Sequence, residues 1–252
     1  MYFENKIFSG QVLEIEKTCS FKYKGKNTKR GPKMDKTPEN MRKVNRRNAA
    51  KKLSRVINAN FVENDLHMVW TYDPAKRAES PAEARCDMQK ALRKLKAAYK
   101  KAGLELKYVA VTEYGKRSMH HHLVINAGLA VAAVQKIWGL GKIHVTLLDD
   151  SGDYERLAQY LLKQSDKTFN DPEKSVWSKR WCASRNLARP IEKKRAVKAD
   201  SWRERPVAPV GYYLITDSIR EGVSDLTGWP FQYYKCIKIQ ENKNKCGPRK
   251  RI

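Results

Sequence analysis

The sequence predicts an α+β protein in which helices cover one face of an antiparallel sheet. Three observations lead to this fold class. The middle of the chain alternates short runs rich in β-branched and aromatic residues with longer runs of helical periodicity. The order of these runs is strand, helix, strand, strand, helix, strand, helix. Only YGKRSM separates the second strand from the third, which indicates a hairpin and hence antiparallel pairing.

The chain divides into three predicted parts. Residues 1–60 are a basic N-terminal arm and helix, residues 61–166 are the α+β domain, and residues 167–252 are a C-terminal extension that packs on the core or forms a small second domain. From Phe21 to Arg55 there are fourteen Lys or Arg and two acids, a local charge of +12. The first part of this stretch is typical of an arm without fixed structure, and helical periodicity begins near Glu39.

The elements of the α+β domain can be placed in order. Asp65 to Tyr72 has the composition of a strand. In the helix that follows, Ser80, Pro81 and Glu83 form an N-cap, a first-turn proline and the acid of a capping box. Gly103 ends this helix. The remaining elements are strands at Lys107 to Glu113 and His120 to Asn126, a helix at Val131 to Trp138, a strand at Ile143 to Leu148 and a helix from about Gly152 to Gln164.

The C-terminal extension begins beyond Lys167 with an irregular pattern. It stays strongly basic as far as Arg205. Two strand-like segments, VGYYLIT and FQYYKCIKI, then stand on either side of the turn-rich TGWP. The extension is therefore predicted to contain strands of its own.

Charge and composition limit the kind of partner. The 52 Lys and Arg outnumber the 27 Asp and Glu, which leaves a net charge of +25. Such an excess favours a polyanionic partner, with nucleic acid first and an anionic membrane surface second. Because no apolar run of about 18 residues and no signal-peptide core is present, we expect a cytoplasmic protein without a membrane anchor. The five cysteines form no CxxC pair, which argues against a disulfide framework and a zinc ribbon.

Three consecutive histidines lie in a predicted strand among apolar residues. Because side chains alternate along a strand, His120 and His122 share one face and His121 points to the other. A symmetric hairpin pairs Glu113 with His120 and Val111 with His122. Two imidazoles and one carboxylate would then face the same point, as a divalent metal site requires. The alternative is a set of partly exposed histidines on an edge strand.

The other histidines have no predicted role in chemistry. His121 is expected on the helix-covered side or at the rim of the sheet. His67 and His144 are interpreted as core or surface residues, because a single histidine more often fills such a position than binds a ligand.

The helix that contains YERLAQYLLK supplies a candidate nucleophile. Its apolar stripe comprises Tyr154, Leu157, Ala158, Leu161 and Leu162. Tyr160 lies outside the centre of that stripe, and Lys163 lies about 60° from it around the helix, so a phenol and an ammonium group stand side by side. A metal that polarises a phosphate, a tyrosine that attacks it and a lysine that neutralises it suit phosphoryl transfer. The alternative is a tyrosine that keeps its hydroxyl in water at the sheet edge.

These motifs, taken in order, resemble the HUH endonucleases, and in particular the rolling-circle replication initiators of small phages and plasmids. The resemblance covers about Asn60 to Pro190 and rests on NFVENDLHMVWTYDP, VTEYG with HHH, the Tyr-x-x-Lys pair and KRWCASRNLARP. It implies an endonuclease domain at 61–166 with a modified RRM-like fold that uses Mg²⁺ or Mn²⁺. The implied residues are His120, His122 and Glu113 for the metal, and Tyr160 and Lys163 for catalysis. His121 departs from the family, which usually has a bulky hydrophobic residue there.

The resemblance also implies a function. It implies strand-specific nicking and joining of single-stranded and origin DNA through a 5′-phosphotyrosine intermediate, in a bacterial cytoplasm. GLGKIH, at Gly139 to His144, lacks the first glycine and the hydroxyl residue of a nucleotide-binding loop, so a host helicase and polymerase are expected as partners. A single-tyrosine HUH transposase and a non-catalytic protein that binds single-stranded nucleic acid are the alternatives.

Two groups of side chains are predicted to contact DNA. Trp70, Tyr114 and Trp181 are candidates for stacking on unpaired bases. Phosphate contacts are assigned to basic residues of the arm, the hairpin loop and the extension. These basic residues are Arg42, Lys43, Arg46, Arg47, Lys51, Lys52, Lys116, Arg117, Lys179 and Arg180.

Overall fold

The computed structural model describes residues 1–19, 37–114, 119–169, 180–199, 201–224 and 227–239, with the backbone alone at 114 and 164–169. The chain forms two compact units. The central unit is Asp35–Pro190, and the terminal unit joins Met1–Met34 to Ile191–Ile252. Each unit contains an antiparallel five-stranded sheet, so the predicted α+β class is confirmed. No helix in the described ranges is long and apolar enough to cross a membrane.

The regular elements follow one another along both units. In chain order they are β1 (Tyr2–Ser9), β2 (Val12–Thr18), α1 (Pro38–Asn60), β3 (Leu66–Thr71), α2 (Pro81–Lys101), β4 (Tyr108–Tyr114), β5 (Met119–Ile125), α3 (Val131–Trp138), β6 (Ile143–Leu147), α4 (Glu155–Phe169), β7 (Cys182–Ala183), β8 (Ile191–Val197), β9 (Tyr212–Val223) and β10 (Pro230–Lys238). The strand order is β6-β3-β5-β4-β7 in the central sheet and β8-β1-β2-β10-β9 in the terminal sheet. The elements predicted for the α+β domain are therefore all present.

Local signals set the ends of the helices. At the start of α2 the Ser80 hydroxyl accepts a hydrogen bond from the Glu83 backbone N–H at 3.2 Å, as the capping box predicts. Gly103, just beyond α2, has a φ of 72°, which suits a residue without a side chain. At the start of α1 the Thr37 hydroxyl accepts from the Asn40 N–H at 3.3 Å.

Helices pack on both faces of the central sheet. One face contacts α2 and α3 through residues such as Met68 and Leu123. The opposite face contacts α1 and α4 through Val109, Val111 and Val124. The expectation that helices cover only one face is therefore wrong in this respect. The physical reason is that β4 and β5 are apolar on both sides, so each side needs a covering layer.

The terminal sheet is built from both ends of the chain. Residues predicted as the first part of a basic arm form β1 and β2, and β8, β9 and β10 come from the predicted extension. The division at 1–60, 61–166 and 167–252 therefore differs from the observed units. Alternating burial in β1 and a tight turn at Gly10, with φ 60°, explain the unexpected hairpin. The arm itself, residues 20–36, lies outside the described residues.

Polar side chains link the two ends of the chain across the terminal sheet. Glu4 on β1 accepts from Arg195 on β8, with Nη2 and Oε1 2.7 Å apart. Lys17 on β2 donates to the Gln232 side chain on β10 at 2.8 Å. Glu4 and Lys17 are themselves register partners, so both links lie in one row across the sheet. Such cross-strand pairs favour this register over a shifted one.

Candidate active site

The pairing of β4 with β5 determines which side chains meet. Glu113 is opposite His120, and Val111 is opposite His122, so the register predicted from the hairpin is confirmed. On the other side of β5, Val69 of β3 is opposite His122. Because paired residues share a face, Glu113, His120 and His122 all lie on the sheet face that α1 and α4 cover in part. This surface is the candidate active site.

His122 and Glu113 approach each other on this face. His122 Nε2 lies 3.6 Å from Glu113 Oε2, which is longer than a hydrogen bond. Burial, and then the neighbouring His120, lower the pKa of His122 to about 4. The imidazole of His122 is therefore neutral near pH 7, and the lone pair of one ring nitrogen is available to a ligand.

The donor types suit a divalent ion, but a three-donor cluster is not assembled. Both ring nitrogens of His122 and Nε2 of His67 are buried and have no hydrogen-bond partner within the described ranges. Such atoms are uncommon in folded proteins, and they fit a group that binds beside them. However, no three His, Cys, Asp or Glu side chains among the described residues converge to hold a metal ion. Of the predicted set, His122 and Glu113 are close together, and His120 is the register partner of Glu113.

Tyr160 of α4 stands over the same face. It is 43% exposed, whereas Ala158, Leu161 and Leu162 are buried beneath the helix. Its ring lies 5.5 Å from the ring of His122, at an interplanar angle of 82°. The predicted position of Tyr160, outside the apolar stripe, is therefore confirmed, and its ring contacts one of the predicted metal ligands. Lys163 is exposed on the same helix.

Asn58 of α1 ties the start of α4 to α1. Its side-chain oxygen accepts from the Tyr154 N–H at 2.9 Å, and its amide nitrogen donates to Asp153 at 3.3 Å. The Tyr154 hydroxyl donates to the Asp149 carbonyl at 3.0 Å. Burial, and then nearby carboxylates, of which Asp149 contributes most, raise the pKa of Tyr154 to about 12. Tyr154 therefore braces the helix, and Tyr160 is the tyrosine of α4 that reaches the site.

His67 is a member of the site that the sequence interpretation missed. It lies on β3, and its ring is nearly parallel to that of His122, with the centroids 5.8 Å apart. It also contacts the Tyr160 ring edge-on at 6.1 Å. Burial, and then His122, lower the pKa of His67 to about 4. A polar residue between Leu66 and Met68, both buried on the opposite face, was the available signal, but its meaning depends on β3 pairing with β5.

His121 points to the opposite face, as predicted. Its Nδ1 lies 2.9 Å from the Thr112 hydroxyl, and its Nε2 lies 3.0 Å from the Tyr72 hydroxyl. Burial, and then His122 and His120, lower the pKa of His121 to about 3. A neutral imidazole can satisfy both hydroxyls, so His121 holds β5 from behind.

The residues predicted to bind DNA have different outcomes. On α1 all six basic residues are at least partly exposed, and Lys43 pairs with Glu39 at 2.9 Å. Arg180 is partly exposed, whereas Lys116, Arg117 and Lys179 lie outside the described residues. Trp70 is fully buried, so the prediction that it stacks on bases is wrong, because its position on β3 faces the apolar core. Trp181 packs partly against the α1 and α4 cluster, and the side chain of Tyr114 is not among those described.

Residues 65–168 match a family model that describes replication-associated proteins of the ORF2 type. The match runs from β3 almost to the end of α4, and it includes every predicted metal-binding and catalytic residue. It covers less than half of the chain, and it supports a role in DNA replication. Comparison with curated proteins and with solved structures finds no match.

Proposed function

We propose that the chain is a metal-dependent DNA endonuclease that nicks and rejoins one strand to start rolling-circle replication. The observation that carries the proposal is the exposed Tyr160 ring set against His122, which in turn lies beside Glu113. The match to a replication-associated family favours replication over transposition, the alternative use of a single-tyrosine site.

In the proposed reaction Tyr160 is the nucleophile. Its hydroxyl oxygen attacks the phosphorus of one phosphodiester and loses its proton, and the bond from phosphorus to the 3′ oxygen breaks. The departing 3′ oxygen takes up a proton, and the 5′ phosphate remains as an ester of Tyr160. Because the ester is retained, a 3′ hydroxyl can attack it in the reverse direction and rejoin the strand. Hydrolysis would lose this reversibility.

The remaining site residues bind and orient the phosphate in this proposal. Glu113, His120 and His122 would hold Mg²⁺ or Mn²⁺, which when bound would polarise the phosphate oxygens. Lys163 supplies a positive charge on the helix that carries Tyr160, where it can offset the phosphate charge. The basic face of α1 would contact the DNA backbone on either side, independently of sequence.

A second candidate is a non-catalytic protein that binds single-stranded nucleic acid. The observation in its favour is that no three metal-binding side chains converge within the part of the chain that the structure describes. Binding alone needs neither Tyr160 nor an ion.

An adduct assay separates the two. The protein is incubated with Mn²⁺ and single-stranded oligonucleotides that tile a replication origin, labelled at either end. A 5′-phosphotyrosine predicts that the 3′-labelled fragment migrates with the protein on a denaturing gel, while the 5′-labelled fragment is released with a free 3′ hydroxyl. Chelation should abolish both products. Binding without any adduct, in the presence of Mn²⁺, would support the non-catalytic candidate.

A further inference from the structure

His67 contacts both the candidate nucleophile and a candidate metal ligand from a third strand. Its ring centroid is 6.1 Å from that of Tyr160 and 5.8 Å from that of His122. We propose that His67 is a positioning residue for Tyr160, holding the phenol ring in its orientation above the sheet. This inference rests on the proposed function, because positioning matters only if Tyr160 attacks a phosphate.

The ring geometry explains how His67 would act. The rings of His67 and His122 are within 10° of parallel, and the Tyr160 ring is nearly perpendicular to both, at 81° and 82°. Edge-to-face packing of this kind is the preferred arrangement of aromatic rings. Two such contacts restrict rotation of the phenol ring in a way that one contact does not.

Tyr160 needs this restriction because little else holds its ring. The residue is 43% exposed, and the helix fixes only its backbone. An exposed tyrosine samples several side-chain rotamers, whereas an attacking oxygen must stay in line with the bond that breaks. A displacement of about 1 Å can cost about 100-fold in rate. A residue that limits the rotamers of Tyr160 would therefore affect the chemical step rather than DNA binding.

The inferred role depends on the ring of His67 and not on its nitrogens. Nε2 of His67 is buried and has no hydrogen-bond partner among the described residues, while both contacts above are contacts between rings. Phenylalanine would keep a flat ring at this position and remove both nitrogens. Alanine would remove the ring. The two substitutions therefore separate positioning from ligation of an ion.

The test compares His67→Phe, His67→Ala and the control His144→Ala. His144 is an exposed histidine on β6, on the same sheet face through its pairing with Val69. Adduct formation is measured in a single turnover at saturating oligonucleotide and Mn²⁺, and affinities for both are measured separately. We expect His67→Ala to slow adduct formation about tenfold or more, and His67→Phe to stay within about threefold of the unchanged chain. Affinities for DNA and Mn²⁺ should be unchanged in all three variants.

A second measurement does not depend on catalysis. With 3-fluorotyrosine at position 160 and no metal, the fluorine NMR line should narrow and shift in His67→Ala but not in His67→Phe or His144→Ala. The inference is overturned if His67→Ala keeps both the rate and the line. It is also overturned if His67→Phe loses the rate together with Mn²⁺ affinity, because His67 would then act through a nitrogen. If the unchanged chain forms no adduct while the fluorine line responds as expected, the proposed function fails and the ring contact stands.

Discussion

The ring of Tyr160 stands at 82° to the ring of His122, and their centroids are 5.5 Å apart. One ring comes from a helix and the other from the strand beneath it, so the contact exists only because α4 packs across that face of the central sheet. The hydrogen bonds of Asn58 to Tyr154 and Asp153 tie the first turn of the helix to α1. The candidate chemistry therefore depends on how one helix is seated.

Tyr160→Phe should abolish the covalent adduct and leave DNA binding and thermal stability nearly unchanged, because the hydroxyl is exposed and carries the proposed chemistry. Tyr154→Phe is the matched control on the same helix. It removes the bond to the Asp149 carbonyl, which should cost about 1 kcal/mol of the free energy of unfolding, and should leave the adduct intact. Denaturing gels and urea unfolding measure the two effects. Adduct in Tyr160→Phe would show that the nucleophile is a different residue.

Glu113→Gln should weaken Mn²⁺ binding about 10- to 100-fold, because it removes a charged donor beside His122 without changing its shape. Isothermal titration calorimetry in the absence of DNA measures this directly, and the Mn²⁺ concentration at half-maximal adduct should rise in parallel. Glu63→Gln, at an exposed position before β3, is the control and should bind Mn²⁺ as the unchanged chain does. Equal affinities for both variants would remove Glu113 from the proposed site.

Acid should destabilise the chain in part through His121. The pKa of His121 is about 3 when folded, because of burial, and about 6.5 when unfolded. The unfolded state therefore binds the proton first, so stability is full above about pH 6.5 and is lost as the pH falls towards 3. At pH 5 this histidine should cost about 2 kcal/mol, measured by urea unfolding at pH 7.5 and pH 5. His121→Gln should reduce that difference, and an unchanged difference would assign it to other groups.

Arg46→Ala combined with Arg47→Ala should lower DNA affinity uniformly across sequences, because exposed charges on α1 are expected to contact phosphates. The slope of log affinity against log salt should fall by about 1 for each phosphate that the variant no longer neutralises. Lys96→Ala with Lys100→Ala removes the same charge from exposed positions on α2 and serves as the control. If both pairs change the slope equally, net charge and not the α1 face governs binding.

Where local signals dominate, the sequence predicted the structure well. The capping residues Ser80 and Glu83 marked the start of α2 because caps act within one turn. The short hairpin loop was enough to predict that Glu113 pairs with His120. The apolar stripe of α4 separated the buried Tyr154 from the exposed Tyr160.

Features that depend on distant pairings could not be read in the same way. His67 joins the site only because β3 lies beside β5, an adjacency that no local pattern specifies. The hairpin of β1 and β2 alternates as strands do, but its partners are about 180 residues or more away in the sequence, and the charge of the following arm dominated the interpretation. Coverage of both sheet faces follows from strands that are apolar on both sides, which periodicity alone does not distinguish from a buried helix.

The strand order of the terminal sheet has a consequence for synthesis on the ribosome. β1 and β2 are translated first, yet they lie in the middle of that sheet, between β8 on one side and β10 on the other. The central unit is continuous in sequence and can be complete before β10 leaves the exit tunnel. The N-terminal hairpin must therefore wait with two unpaired edges until the last strands are made, which exposes it to association with other nascent chains.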